Sequence, residues 1–300
     1  MNEVRQQPYL AFAVALIAIG SLSAMDAVMK GLSQSIGAYP MMCWRSILAV
    51  ALMGPFYLAT RKRWPTKRAM RLHVLRGLLM VPKGFLFFWG LARTPMAQAI
   101  ALTFVAPLIA LVLAAIFLAE PVGKRMAAGS MLAFAGVIVI FIGQGRSDLG
   151  DDALLGSAAI LGSALCYALN IVVMRRQAQN ARPVEIAFFQ FFVTGIGYWL
   201  LSPMAGVPPY PAGHEPTLLL ATLLSIAGML LLAWAYARAG AGYLSATEYS
   251  GFVYAAILGW IVFGEVPSLF TVAGAALIVS GCLMAARTRR IEHPTLESQG

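Results

Sequence analysis

Charge is scarce in this sequence. Only 11% of its 300 residues are Asp, Glu, Lys or Arg, where a soluble domain carries roughly 25%. The shortage excludes a solvated cytosolic enzyme, and the 60% hydrophobic content excludes a disordered chain. Cysteine is equally sparse: Cys43, Cys166 and Cys282 all sit in apolar runs without a CxxC pair. That rules out a disulfide framework and a metal knuckle, leaving small apolar packing residues as the reading. His73, His214 and His293 fall at segment ends or in the tail, so no metal cluster is visible. HExxH, GxSxG and Walker A patterns are missing too, which removes the obvious routes to an intramembrane enzyme or to direct ATP energisation.

What is present is a series of apolar runs long enough to cross a bilayer. Pro, Gly and charge punctuation places ten spans near 9–30, 40–60, 69–92, 95–118, 125–143, 152–174, 184–204, 217–237, 242–263 and 267–286. Lipid offers no hydrogen bonds, so spans of this length must be helices. The first is read as an anchor, because it lacks a convincing cleavage site and opens a long series. Basic residues orient the chain. With the N-terminus in the cytoplasm, seventeen Lys and Arg fall inside, seven of them between Arg61 and Arg76, and only Lys30, Arg93 and Arg146 outside. This positive-inside bias puts both termini in the cytoplasm and makes the net charge of +10 a topology signal that needs no nucleic-acid partner.

An internal repeat runs at a constant offset of 145 residues: Trp89 and Arg93 match Trp234 and Arg238, Glu120 matches Glu265, and Gly129 and Gly136 match Gly274 and Gly281. Each half then holds five spans, an odd number, so the halves lie in opposite orientations. The expected fold is an all-α polytopic membrane protein with ten transmembrane helices in two inverted five-helix repeats, 9–143 and 152–286. Secondary transporters use this architecture, with the substrate between the repeats.

The ends of spans four and nine read APLIALVLAAIFLAEPVGKRMAAG and EYSGFVYAAILGWIVFGEVPSLFTVAG. A proline thirteen residues before a glutamate, then a glycine-bearing helix, resembles the EamA-type motif of the drug/metabolite transporter superfamily. The second half departs from it, with Phe252 where the first has Pro107, so a kink is expected in span four and none is implied in span nine. The resemblance covers nearly the whole chain. It implies an exporter of amino acids or similar small amphipathic metabolites, the aromatic amino acid and methyl viologen exporters included. It also implies a bacterial cytoplasmic (inner) membrane location.

Ionisable side chains inside spans are the sharpest site candidates, since each costs about 2.5–3.5 kcal/mol at mid-membrane. Asp26 and Arg45 lie near the outer ends of spans one and two, as a structural ion pair or an outer gate. Lys83 follows Pro82 at the middle of span three and must face a cavity or a partner, Glu248 or Asp26. Glu248, Tyr167, Asn170 and Gln190 share a level in the inner half, as a substrate site or a helix-packing network. A zwitterion needs both charges matched, and Lys83 with Glu248 supplies them. Glu120 and Glu265 end corresponding helices at opposite faces, capping the next helix or gating the two mouths. Gly129, Gly136, Gly143, Gly274 and Gly281 read as a packing stripe.

The expected function is secondary or facilitative transport of a small-molecule substrate by alternating access in the lipid bilayer, without catalysis, cofactor or metal. An intramembrane enzyme and a structural membrane protein are the other classes. Proton coupling, and a monomer against a weak dimer, stay open. The topology predicts that single cysteines at 147–151 and 206–214 label from outside intact cells and those at 62–68 do not; labelling of 62–68 would refute it.

Overall fold

A computed structural model describes residues 8–61, 64–118, 124–145, 150–178, 183–239, 244 and 247–286, and among these it is helical with no strand. The helices are α1 (Pro8–Ile36), α2 (Ala38–Thr60), α3 (Lys67–Leu91), α4 (Met96–Thr103), α5 (Ala106–Leu118) and α6 (Lys124–Gly145). There follow α7 (Gly150–Ala178), α8 (Pro183–Leu200), the short α9 (Ser202–Ala205), α10 (Glu215–Tyr236), α11 (Ser250–Phe263) and α12 (Leu269–Ala286). By length and composition α1, α2, α3, α7 and α10 are apolar enough to cross a membrane, and the others are shorter apolar helices.

Local chemistry sets the ends. Thr66 caps α3 by accepting the Ala69 N–H at 3.2 Å. Asp151 and Asp152 sit in the first turn of α7, where the helix dipole favours negative charge. Between α1 and α2 stands the single residue Gly37, whose φ of 86° turns the chain sharply. The first helix runs beyond its expected end, to Ile36, so Lys30 lies inside it and is 1% exposed instead of standing in an outer loop.

The expected fourth span is broken. It divides into α4 and α5 at Phe104 and Val105, immediately before Pro107. The second half breaks at the matching place, Tyr249, although no proline follows there. Hydroxyls do the work instead: Thr247 Oγ1 donates to Leu244 O at 2.6 Å and Ser250 Oγ to Thr247 O at 2.6 Å. Such side-chain bonds give the backbone an alternative to the helical ladder. Thr103 Oγ1 donates to Ile100 O at 2.7 Å in the first half, and Cys282 Sγ reaches the Phe104 carbonyl at 3.2 Å. The two breaks face each other, with the Phe104 and Tyr249 rings 5.4 Å apart edge to face.

Helices pack pairwise: α6 on α12, α1 on α10, α3 on α7 and α8, and α2 on α8. Gly136 meets Gly274 and Gly129 meets Gly281, so α6 and α12 run antiparallel with their backbones in contact. A Cβ on Gly136 would lie 2.6 Å from Gly274 O, and one on Gly274 2.7 Å from Gly136 O. The stripe lets carbonyls of one helix touch the other, the usual device where lipid supplies no hydrophobic drive. Gly31, by contrast, has nothing within 4 Å of the position of a Cβ. Gly136→Val should therefore destabilise the bundle by about 3 kcal/mol or more through overpacking. Gly31→Ala should be neutral or stabilising by up to about 1 kcal/mol. Thermal unfolding of the two variants in detergent checks the contrast.

Candidate functional site

The broken helices open onto a cavity of about 460 Å³ within the bundle, lined by residues of α1 to α5, α7, α8 and α10 and by Glu248. Its size suits a small solute. Most of the wall is apolar, and four titratable carboxylate or basic groups line it: Asp26 on α1, Arg45 on α2, Lys83 on α3 and Glu248 just before α11. Tyr167 and Gln190 line it as well, so of the five residues expected to bind substrate four share this space.

The fifth, Asn170, is turned elsewhere. It is 1% exposed, and its Oδ1 accepts from Arg76 Nε at 3.0 Å. Arg76, counted above with the cytoplasmic cluster, is thus buried between α3 and α7, because Asn170 offers the acceptor it needs. A second polar contact lies nearby: His73, 1% exposed, meets Glu185 Oε1 at 3.0 Å and stacks on Phe189. Neither partner was visible from the sequence, since about a hundred residues separate each pair.

Lys83 is held by rings. Its Nζ lies 5.0 Å from the Phe87 centroid and 5.5 Å from that of Tyr167, within cation–π range. The helix carrying it passes unbroken through Pro82, and α8 braces that stretch: Thr194 Oγ1 donates to Gly77 O at 3.2 Å and Tyr198 OH to Val81 O at 2.8 Å. Arg45 donates from Nη2 to Ser225 Oγ at 2.9 Å, with its guanidinium 5.9 Å from the Phe191 centroid. Asp26 interacts electrostatically with both cations. The Asp26–Arg45 ion pair considered above does not form: among the described residues the salt bridges join Lys30 to Glu265 and His73 to Glu185. Glu248 is exposed and accepts from Tyr236 OH at 2.7 Å, which marks the cavity mouth.

The opposite end of α11 is closed. Gly264 takes a left-handed φ of 68°, and the Glu265 N–H returns to Gly259 O at 3.0 Å. That turn aims the Glu265 carboxylate at Lys30 and at the Met96 N–H, 2.7 Å from its Oε2. Lys30 also donates to Thr94 O at 2.7 Å and lies 4.9 Å from the Phe263 centroid. Glu265 therefore caps α4 across the bundle and does not cap the helix that follows it. Three chain segments, the end of α1, the α3–α4 turn and the end of α11, meet on one charge pair whose lysine is buried and whose carboxylate is partly exposed. On α2, Trp44 Nε1 donates to Pro209 O at 2.7 Å, and its ring packs edge-on against Trp199 and Tyr210. Outside the helices, the Glu215 carboxylate beside Tyr210 holds that phenol above its usual range. The matching Glu120 lies outside the described residues.

A helical bundle with a charged cavity, open at one end and locked at the other, is the working part of a membrane carrier. The comparisons agree: residues 9–142 and 154–287 both match the model of the EamA-like transporter family, and the chain belongs to that family. It is a membrane transporter and not an enzyme. Among curated relatives, the pseudopaline exporter CntI of Pseudomonas aeruginosa is 25% identical over 92% of this chain and 96% of its own. The S-adenosylmethionine uptake transporter of Rickettsia bellii is 24% identical over 94% and 95%. The riboflavin transporter of Rhizobium johnstonii is 32% identical over 66% and 64%. A solved crystal structure, 21% identical, shares the fold with a TM-score of 0.59 over 96% of this chain and 100% of that one.

Removing one partner of a buried ion pair strands the other, at a cost of about 3–5 kcal/mol, whereas replacing both is often neutral. Glu265→Leu, which strands the buried Lys30, should lower thermal stability in detergent by that order. Lys30→Met should cost less, since Glu265 is partly exposed and keeps the Met96 N–H, and the double variant should recover most of the Glu265→Leu loss. Additive losses in the double variant would show that the two side chains are not coupled.

Proposed function

We propose that the chain exports small amphipathic metabolites, amino acids first among them, across the bacterial cytoplasmic membrane by alternating access. In this reading it has ten spans, both termini in the cytoplasm, and two inverted repeats over 9–143 and 152–286 that rock about the cavity. The observation that carries it is the lining of that cavity. Seven pairs of lining residues are related by the 145-residue offset, among them Arg45 with Gln190, Thr103 with Glu248 and Leu22 with Tyr167. A solute there touches equivalent positions of both halves.

Packing supports the same reading. Exchanging the repeats turns the α1–α10 contact into the α7–α3 contact, and both are extensive. The equivalent helices α6 and α12 run antiparallel, as inverted halves require. Arg93 stacks on Trp89 at 3.8 Å and Arg238 on Trp234 at 3.9 Å, the same local device in each copy. With the N-terminus inside, Glu248 faces the cytoplasm and the Lys30–Glu265 closure faces out, an inward-open arrangement.

The relatives are named for transport of small metabolites in both directions, pseudopaline outward and S-adenosylmethionine inward. Export rests on the resemblance to exporters. A zwitterion fits the charges: Lys83 and Glu248 offer both signs in one apolar space.

Counterflow in proteoliposomes with an amino-acid panel, with and without a pH gradient, tests this. Lys83→Ala and Glu248→Gln should each cut transport at least about tenfold, the equivalent of 1.4 kcal/mol, while abundance and thermal stability hold. If Glu248 only carries a coupling proton, Glu248→Gln keeps counterflow and loses the response to pH. Normal transport and pH response in both variants would mean that the pair is structural.

A further inference from the structure

The charges of the cavity are not evenly placed. Glu248 stands at the mouth, engaged by Tyr236. Asp26, Arg45 and Lys83 gather at the other end, with Asp26 only one helical turn, about 6 Å, short of Lys30 and the closure. Two cations and one carboxylate leave that end with a net charge of +1. The carboxylate does not cancel either cation by contact, since no ion pair joins it to Arg45 or Lys83 among the described residues.

Hydrogen bonding points the same way. Arg45 spends Nη2 on Ser225, but among the described residues its buried Nε has no partner, nor has Oε1 of Gln190, its counterpart in the other repeat. A guanidinium binds a carboxylate through two parallel N–H groups. Ser225 engages Arg45 from one side only, and Lys83 adds a point charge held by two rings and, among the described residues, by no anion within salt-bridge distance. Two basic groups share the single carboxylate of Asp26, and a buried excess charge is costly unless something completes the set.

We propose that Arg45 and Lys83 form an anion subsite at the deep end of the cavity that receives a monovalent carboxylate of the transported solute, with Asp26 as an internal counter-charge. This rests on the transport reading above and adds the solute's orientation: carboxylate first, towards the closed end, with the opposite end towards Glu248. One negative charge brings the set to neutrality, while a phosphate monoester would leave about one excess negative charge buried.

Met229 lines the cavity one turn from Ser225 on the same face of α10, so a cysteine there reads the local potential. The test uses Met229→Cys with Cys166→Ala, the buried Cys43 and Cys282 being retained. Rates with an anionic and a cationic methanethiosulfonate are each normalised to a small free thiol, and Cys166→Ala alone gives the background. Both reagents consume the same thiolate, so their ratio cancels any change in thiol ionisation. The anionic reagent should be favoured by about tenfold, Asp26→Asn should widen the ratio and Arg45→Gln should bring it towards one. Equal rates, or preference for the cation, in the chain that keeps Asp26, Arg45 and Lys83 would overturn the subsite without recourse to a charge variant. A thiol unreactive to both reagents from either side would overturn the transport cavity itself. Benzoate should slow labelling where benzamide does not. No protection, equal protection, or stronger protection by phenyl phosphate would overturn the carboxylate assignment and leave transport standing.

Discussion

The interior of a bilayer accepts no hydrogen bond and screens no charge, so each polar atom of this bundle needs its partner within the protein. The structure follows that constraint in detail. Carbonyls near Pro82 are met by hydroxyls of α8, the Phe104 carbonyl by Cys282, and Lys30 by a carboxylate and a carbonyl at once. Five buried side-chain atoms lack a partner among the described residues, and two of them, Arg45 Nε and Gln190 Oε1, belong to cavity residues. Two residues of the cavity wall thus keep hydrogen-bonding capacity that this conformation leaves unused.

The constraint also explains the broken helices. Irregular backbone at membrane depth is tolerated only where it is buried in protein or lines a cavity. Both breaks do line it: Thr103, Phe104 and Pro107 contribute wall on one side and Glu248 on the other. Because the peptide groups at each break are met by hydroxyls or a thiol, the chain can depart from the helical ladder where a carrier must bend.

Spans, repeat and in-span charges were legible in the sequence because each depends on local composition. Lys83 and Glu248 stand out as charges within spans and Tyr167 and Gln190 by sharing the depth of Glu248, and all four line the cavity. Asn170 shares their depth, but depth does not fix the direction a helix face takes, and Arg76 claims it. Arg76 and Lys30 were read as interface and loop because their partners, Asn170 and Glu265, are 94 and 235 residues away. Removing both from the charge count leaves sixteen against two, so the orientation argument survives their burial. The break at Tyr249 escaped because proline was the only breaker sought, while Thr247 and Ser250 achieve the same by hydrogen bonding.

Duplicated positions around the cavity have kept their places and lost their likeness: arginine stands opposite glutamine, threonine opposite glutamate. If the halves trade conformations during a cycle, a solute meets the same frame from both faces but never the same chemistry. Its affinities on the two sides then differ, and by the same factor the preference of the loaded carrier between its two postures differs from that of the empty one. Such inequality cannot drive a solute uphill. It does decide which face saturates first, so that a carrier with no energy source of its own still has unequal maximal fluxes in its two directions.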